Sequence, residues 1–183
     1  MSTIQYIPAS LAASAASYPI SCIYACAHPA NPTGPPGTAA ASKMTNHWVF
    51  HFVTNSNESL RLDPSPSGPN FSIVLIVTKK TYTYSHNAVK SVQISTRGLS
   101  FKTIIDLIHG KKYDKYQFAA GGQGCRFWVS SVIELLKNAG YIQNTAEFHA
   151  AISALQTVWG PNGQSLPASQ QTPITQGTFF APQ

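Results

Sequence analysis

A chain of 183 residues with a 43% hydrophobic share suits one domain with a real core and irregular ends. Charged residues make up only 10%, and the six acids (Glu58, Asp63, Asp106, Asp114, Glu134 and Glu147) are scattered, which argues against paired-carboxylate chemistry and a hard-metal cage. The net charge of +6 reflects scarce acids rather than a basic arm, because Lys79-Lys80 and Lys111-Lys112 with Lys115 are the only clusters and are too thin a footprint for nucleic acid.

Residues 1–17 read as a loose arm rich in Ala and Ser. The stretch from Ala12 to Ala27 is small and apolar, but no Lys or Arg precedes it and Tyr18-Pro19 interrupts it, so a secretory signal is not expected. Ile20 to Ala27 alternates as a first strand. Ala30 to Lys43 is a Pro/Gly/Ala loop of unusual length and is expected to be a mobile flap. His47 to Thr54 is rich in aromatic and β-branched residues and predicts a second strand. After the turn Asn55-Ser56-Asn57, Ser59 to Leu62 forms its hairpin partner, ended by the Pro- and Ser-rich run that Asp63 opens. Phe71 to Lys79 holds five consecutive apolar residues and suits a strand covered on both faces. Val89 to Thr96 is a further strand.

The period then changes. Phe101, Ile104, Leu107 and Ile108 fall at helical spacing, with Ser100 as cap and Gly110 as stop. Tyr113 to Phe118 reads as a short strand. Cys125 to Ala139 is a helix with a stripe of Trp128, Val132, Leu135 and Leu136, stopped by Gly140. Thr145 to Trp159 is a second helix, for which Thr145 gives an imperfect capping signal. Residues 160–183 are rich in Pro, Gln, Ser and Thr and read as an irregular, poorly packed tail. The domain proper is therefore residues 18–159, an α+β fold in which an antiparallel sheet carries helices on one face.

The chemistry centres on Gly121-Gly122-Gln123-Gly124-Cys125-Arg126-Phe127-Trp128. A cysteine at a helix start sits in the partial positive charge of unpaired backbone N–H groups, which favours the thiolate. The glycines allow close approach of other backbone. Cys125 is the candidate nucleophile, and Gln123 could add an amide to an oxyanion hole. The alternative is a small buried residue at a tight junction. His47 opens the strand Asn46-His47-Trp48-Val49-Phe50-His51-Phe52 and is the candidate general base. His51 shares its face and could orient it, although two solvated histidines would give the same pattern. Trp48, Tyr116 and Trp128 are expected to rim a low-charge site, with Arg126 and Asn87 as further contacts to a small, mostly apolar substrate. On a strand, His47 and His51 stand about 13 Å apart at 3.3 Å per residue, too far to share one ion, so no metal and no cofactor is expected. Three cysteines make no even disulfide framework, no stretch is long enough to span a bilayer, and a reducing, cytoplasmic setting follows. The oligomeric state is open.

Two resemblances add to this. The His47-Trp48-Val49-Phe50 strand, the Arg61-Leu62-Asp63 hairpin partner and the Gly124-Cys125-Arg126-Phe127-Trp128 helix, in that order, resemble an uncharacterised family of fungal proteins over roughly residues 20 to 142. More distantly, a strand histidine ahead of a helix-start cysteine is similar to the circularly permuted papain-like enzymes, including lecithin:retinol acyltransferase-like and NlpC/P60-type proteins. That likeness implies a permuted papain-like arrangement and cysteine-dependent acyl transfer, hydrolysis or cyclisation, carried onto Cys125 and His47. The departures are a longer intervening stretch and no Asn or Asp downstream for a triad. A fungal setting implies a biosynthetic enzyme. The rival expectations are a non-catalytic small-molecule or protein-binding module and a secreted interaction protein.

Overall fold

Alternating aromatic and β-branched residues commit the first half of the chain to strands. The structure, a computed structural model, describes residues 18–180; the expected amino-terminal arm lies outside them. Strands β1 (Pro19–Pro32), β2 (Met44–Asn55), β3 (Glu58–Ser65), β4 (Val74–Lys80) and β5 (Lys90–Ser100) form an antiparallel sheet in the order β4-β3-β2-β1-β5. Helices α1 (Phe101–Gly110), α2 (Cys125–Asn138) and α3 (Thr145–Gln156) follow. A two-residue strand β6 (Tyr116–Gln117) pairs with β7 (Thr178–Phe179). The described chain is thus α+β.

Period-two alternation gives the sheet two unlike faces. Ile23, Ala25 and Ala27 of β1, Trp48, Phe50 and Phe52 of β2, and Leu60 and Leu62 of β3 share one face. Phe101, Ile104, Trp128, Val132, Leu136 and Leu155 of the three helices close the core against them. The opposite face carries Cys26, Val49, His51, Ser59, Arg61 and Asp63. Because β4 and β5 lie at opposite edges, the connection between them must cross the sheet, and residues 81–89 run over this polar face. There Ser59 Oγ donates to the Tyr82 carbonyl at 2.7 Å, and the Tyr24 and Tyr84 rings lie 4.7 Å apart.

Several boundaries differ from the sequence expectation for local reasons. β1 runs on to Pro32, and a short 3₁₀ turn at Ala39–Ser42 with a Thr33 N–H to Lys43 carbonyl bond closes the hairpin, so the expected flap is built structure. β3 runs past Leu62 to Ser65, which puts Asp63 in a strand rather than a turn. α3 is capped by Asn144, whose side chain accepts from the N–H groups of Ala146 and Glu147. Gly110 closes α1 from inside its last turn, while Gly140 (φ 84°) takes the left-handed position after α2 as expected.

The largest departure is the tail. Residues 160–180 are packed against the domain. Thr172 N–H donates to the Met44 carbonyl, Gln171 bonds Val158 N–H and the Leu166 carbonyl, and Phe179 packs on Tyr113 and Tyr116. Composition misleads here because the anchors are buried groups elsewhere in the chain. One is Asn46, 1% exposed, whose amide bonds the carbonyls of His28 and Trp159 and accepts from Trp159 N–H. Asn46→Ala strands three polar groups and should lower the unfolding free energy by about 2–4 kcal/mol. A urea titration in which the midpoint does not move would contradict this.

Candidate functional site

Helix α2 begins without a side-chain cap at Gly124. Its first internal bond is Trp128 N–H to the Gly124 carbonyl at 3.0 Å, so the N–H groups of Cys125, Arg126 and Phe127 have no acceptor within the helix. Gly124 is held at φ 128°, and a Cβ there would stand 2.5 Å from the Tyr116 hydroxyl. That hydroxyl donates to the Gly124 carbonyl at 3.1 Å and accepts from Gly177 N–H at 2.8 Å. Tyr116 thereby fixes where the helix starts.

The Cys125 sulfur meets β2 where the ladder with β3 has stopped. That pairing runs inward from Phe50 opposite Leu62, leaving the Trp48 edge open. The sulfur fills the gap: Trp48 N–H donates to Sγ at 3.2 Å, and the thiol can donate to the Trp48 carbonyl at 3.1 Å. Cys125 is 8% exposed, and what exposure remains faces a cleft.

His47, one residue earlier on β2, turns to the other side of the strand. Its Nε2 lies 2.7 Å from Asp63 Oδ1, and Arg61 donates to the other oxygen of Asp63 at 2.6 Å. Nε2 is engaged by Asp63, and the Cys125 sulfur lies close enough to act on the charge of the ring. Burial opposes a charge on His47, but the neighbouring sulfur and the Asp63 carboxylate outweigh it and raise the pKa to about 10. Burial likewise works against ionisation of Asp63, and its bonds and charge contacts to His47 and Arg61 hold it below the usual range. Sulfur, imidazole and carboxylate form one connected row. Such a row presents a nucleophile, a proton carrier and a group that fixes the carrier's tautomer.

The cleft in front of this row has a volume of about 140 Å³. Asn31, Pro32 and Thr33 of β1, Thr45 to His47 of β2, Gly121 to Arg126, and Thr175 of the carboxy-terminal segment line it. Gln123 stands in its wall, with Oε1 accepting from Thr175 Oγ1 at 3.0 Å and Nε2 donating to the Thr33 carbonyl at 3.4 Å.

The fold thus brings Cys125, His47 and Gln123 to one cleft and disperses the other expected contacts. Trp48 and Trp128 are fully buried in the core, and Trp128 Nε1 donates to the Tyr113 carbonyl. Tyr116 is 1% exposed beneath the helix start. The expected aromatic rim therefore does not form, because these rings belong to the sheet–helix interface. Arg126 borders the cleft, but its guanidinium is spent on the carbonyls of Leu155, Thr172 and Pro173, so it anchors main chain. His51 is fully buried under the crossover connection, with Nδ1 3.0 Å from Ser59 Oγ. Burial, with Arg61 and His28 nearby, lowers its pKa to about 4, and it does not touch His47. Asn87 is exposed in the crossover connection, away from the cleft.

Asp63 was missed as a site residue. The available signal was the Arg61-Leu62-Asp63 alternation. If β3 continues through Asp63, that residue falls on the histidine face, one step diagonal to His47. Thr175 had no signal in the sequence. Among the described residues no group of three or more metal-binding side chains converges, no helix is long and apolar enough to cross a membrane, and Cys22, Cys26 and Cys125 are all free thiols.

The fold and site define an α+β protein with a cysteine at a helix start beside a histidine–aspartate pair, at the edge of a small cleft. The chain belongs to the family described as a domain of unknown function (DUF7770), whose model matches residues 23–180. That span takes in the carboxy-terminal segment as well as the sheet and helices. No curated protein and no solved structure matches the chain.

The electrostatics give a signed expectation. A histidine raised from 6.5 to about 10 adds stability that is fully present below pH 6.5 and is lost as pH rises through 10. The melting-temperature gap between wild type and His47→Gln should therefore be widest near about pH 6 and close towards about pH 10.5. A gap that stays constant across that range in differential scanning fluorimetry would overturn the assignment.

Proposed function

We propose that this protein is a thiol enzyme that transfers or hydrolyses acyl groups through a thioester on Cys125, with His47 as proton carrier and Asp63 as the residue that orients it. The observation that carries the reading is the row of Cys125, His47 and Asp63 opening onto a cleft. The His47 imidazolium faces the sulfur and favours its thiolate form. Sγ attacks the substrate carbonyl carbon, and the carbonyl π electrons move to oxygen. The oxyanion would be met by the unpaired N–H groups at the start of α2, with the Gln123 amide alongside. Collapse breaks the bond to the leaving group, which takes the proton from His47 Nδ1. Neutral His47 then takes a proton from water or another nucleophile, which attacks the thioester and regenerates the thiolate. An acceptor hydroxyl or amine within the same substrate would make the outcome a cyclisation.

The chain order supports a permuted papain-like arrangement: the histidine strand precedes the cysteine helix, and the third polar residue stands on the strand next to the histidine. Asp63 supplies the member that the sequence comparison lacked, from a position between His47 and Cys125 rather than after them. A biosynthetic setting rests on the resemblance to fungal proteins alone.

A second reading has its own observation. The sulfur bonds both backbone groups of Trp48, which a structural cysteine in a non-catalytic binding module would also do. Thiol reactivity separates the two. Iodoacetamide at about pH 6 should label Cys125 ahead of Cys26, whose thiol burial pushes up to about 12. His47→Ala should slow that labelling at least tenfold, and Asp63→Asn should slow it less. Nitrophenyl acetate should give a burst of nitrophenolate that Cys125→Ser removes. The reading fails if Cys125 reacts no faster than a small-molecule thiol and His47→Ala changes nothing, which is the result a structural cysteine gives.

A further inference from the structure

The segment after residue 170 forms one wall of the cleft, and its fastening is specific. Arg126, 4% exposed, clamps the carbonyls of Thr172 and Pro173 at 2.5 and 3.0 Å. Thr175 reaches the Gln123 side chain at 3.0 Å. Gly177 N–H is bound by the Tyr116 hydroxyl, and Phe179 lies 4.6 and 4.7 Å from the Tyr113 and Tyr116 rings. The segment therefore presents Thr175 to the cleft as a strap tied on both sides of that residue. Gly177 must be glycine for it to seat, because a Cβ there would stand 2.3 Å from the Gln117 carbonyl and 2.4 Å from the Tyr116 ring.

Size and chemistry follow from the walls. A cavity of about 150 Å³ accepts one benzene-sized molecule. The cleft, at about 140 Å³, has room for a group of about that size. Its side-chain walls are neutral amides and hydroxyls from Asn31, Thr33, Thr45, Gln123 and Thr175. They offer hydrogen bonds to a polar acyl group.

Building on the thiol reading above, we propose that the strap formed by residues 171–179 sets acyl-group selection. Seated, it limits the substrate to a short acyl group and excludes long aliphatic chains. The polar walls favour a small polar acyl group over the mostly apolar substrate expected from the sequence.

The test measures acylation of the full chain by nitrophenyl esters of acetate and decanoate, followed as burst rate and by intact mass. Wild type should be acylated by acetate at least tenfold faster than by decanoate. Gly177→Ala, which lifts the strap, should raise the decanoate-to-acetate rate ratio at least tenfold. Phe179→Ala loosens the same anchor without a clash and should move the ratio the same way, which covers the case in which Gly177→Ala fails to fold. General loss of structure would lower both rates together and leave the ratio unmoved. Equal rates for decanoate and acetate in wild type, or a ratio unchanged in the folded variants, would overturn the strap proposal while leaving the thiol chemistry standing. Absence of acylation by every ester, together with slow alkylation of Cys125, would instead overturn the thiol reading and this proposal with it.

Discussion

The open backbone edge at Trp48 is the constraint on which the rest of the site depends. An N–H and a carbonyl in the middle of a sheet must find partners. β3 supplies them to the inner part of β2 but has peeled away before Trp48. The thiol of Cys125 takes both groups, and that single meeting point ties the start of α2 to the sheet. Because β3 runs on in the same register through Asp63, that residue stands diagonal to His47 and reaches its Nε2.

The same arrangement places two demands on one sulfur. The neutral thiol satisfies both backbone groups of Trp48. The thiolate keeps the N–H bond, loses its own donor to the carbonyl, and gains the charged imidazole. Asp63, with Arg61 behind it, engages the His47 ring and helps to raise its pKa without lining the cleft. His28, whose ring lies 6.2 Å from that of His47, has its pKa lowered by burial and by the charges of Arg61 and His47.

What could be read from the sequence was what local pattern encodes. The order of strands and helices, the Ser100 cap, the Gly140 stop and the placement of Cys125 at a helix start all follow from periods and punctuation within a few residues. So did the meeting of a strand histidine with the helix cysteine, as an expectation. Illegible were features set by partners far along the chain. The aromatic residues assigned to a rim are core because α2 packs on their face of the sheet, a fact of tertiary geometry. Arg126 looked like an anion contact and is a clamp on carbonyls 46 and 47 residues away. Asp63 was hidden by the following prolines, which read as a turn; β3 nonetheless continues through Pro64 to Ser65, still paired with β4.

The tail shows the same principle in its strongest form. Polar, proline-rich composition predicts poor packing when a segment must supply its own core. Residues 171–180 do not supply one. They borrow polar groups already fixed by the sheet and helices: the Arg126 guanidinium donates, and the Tyr116 hydroxyl and the Met44 carbonyl accept. Each contact is individually modest, but these partners are pre-oriented, so the cost of ordering falls on the strap alone. A wall built this way can be held in place and still be the least anchored part of the cleft. That combination is why composition alone gave no sign that this segment would help to wall the cleft.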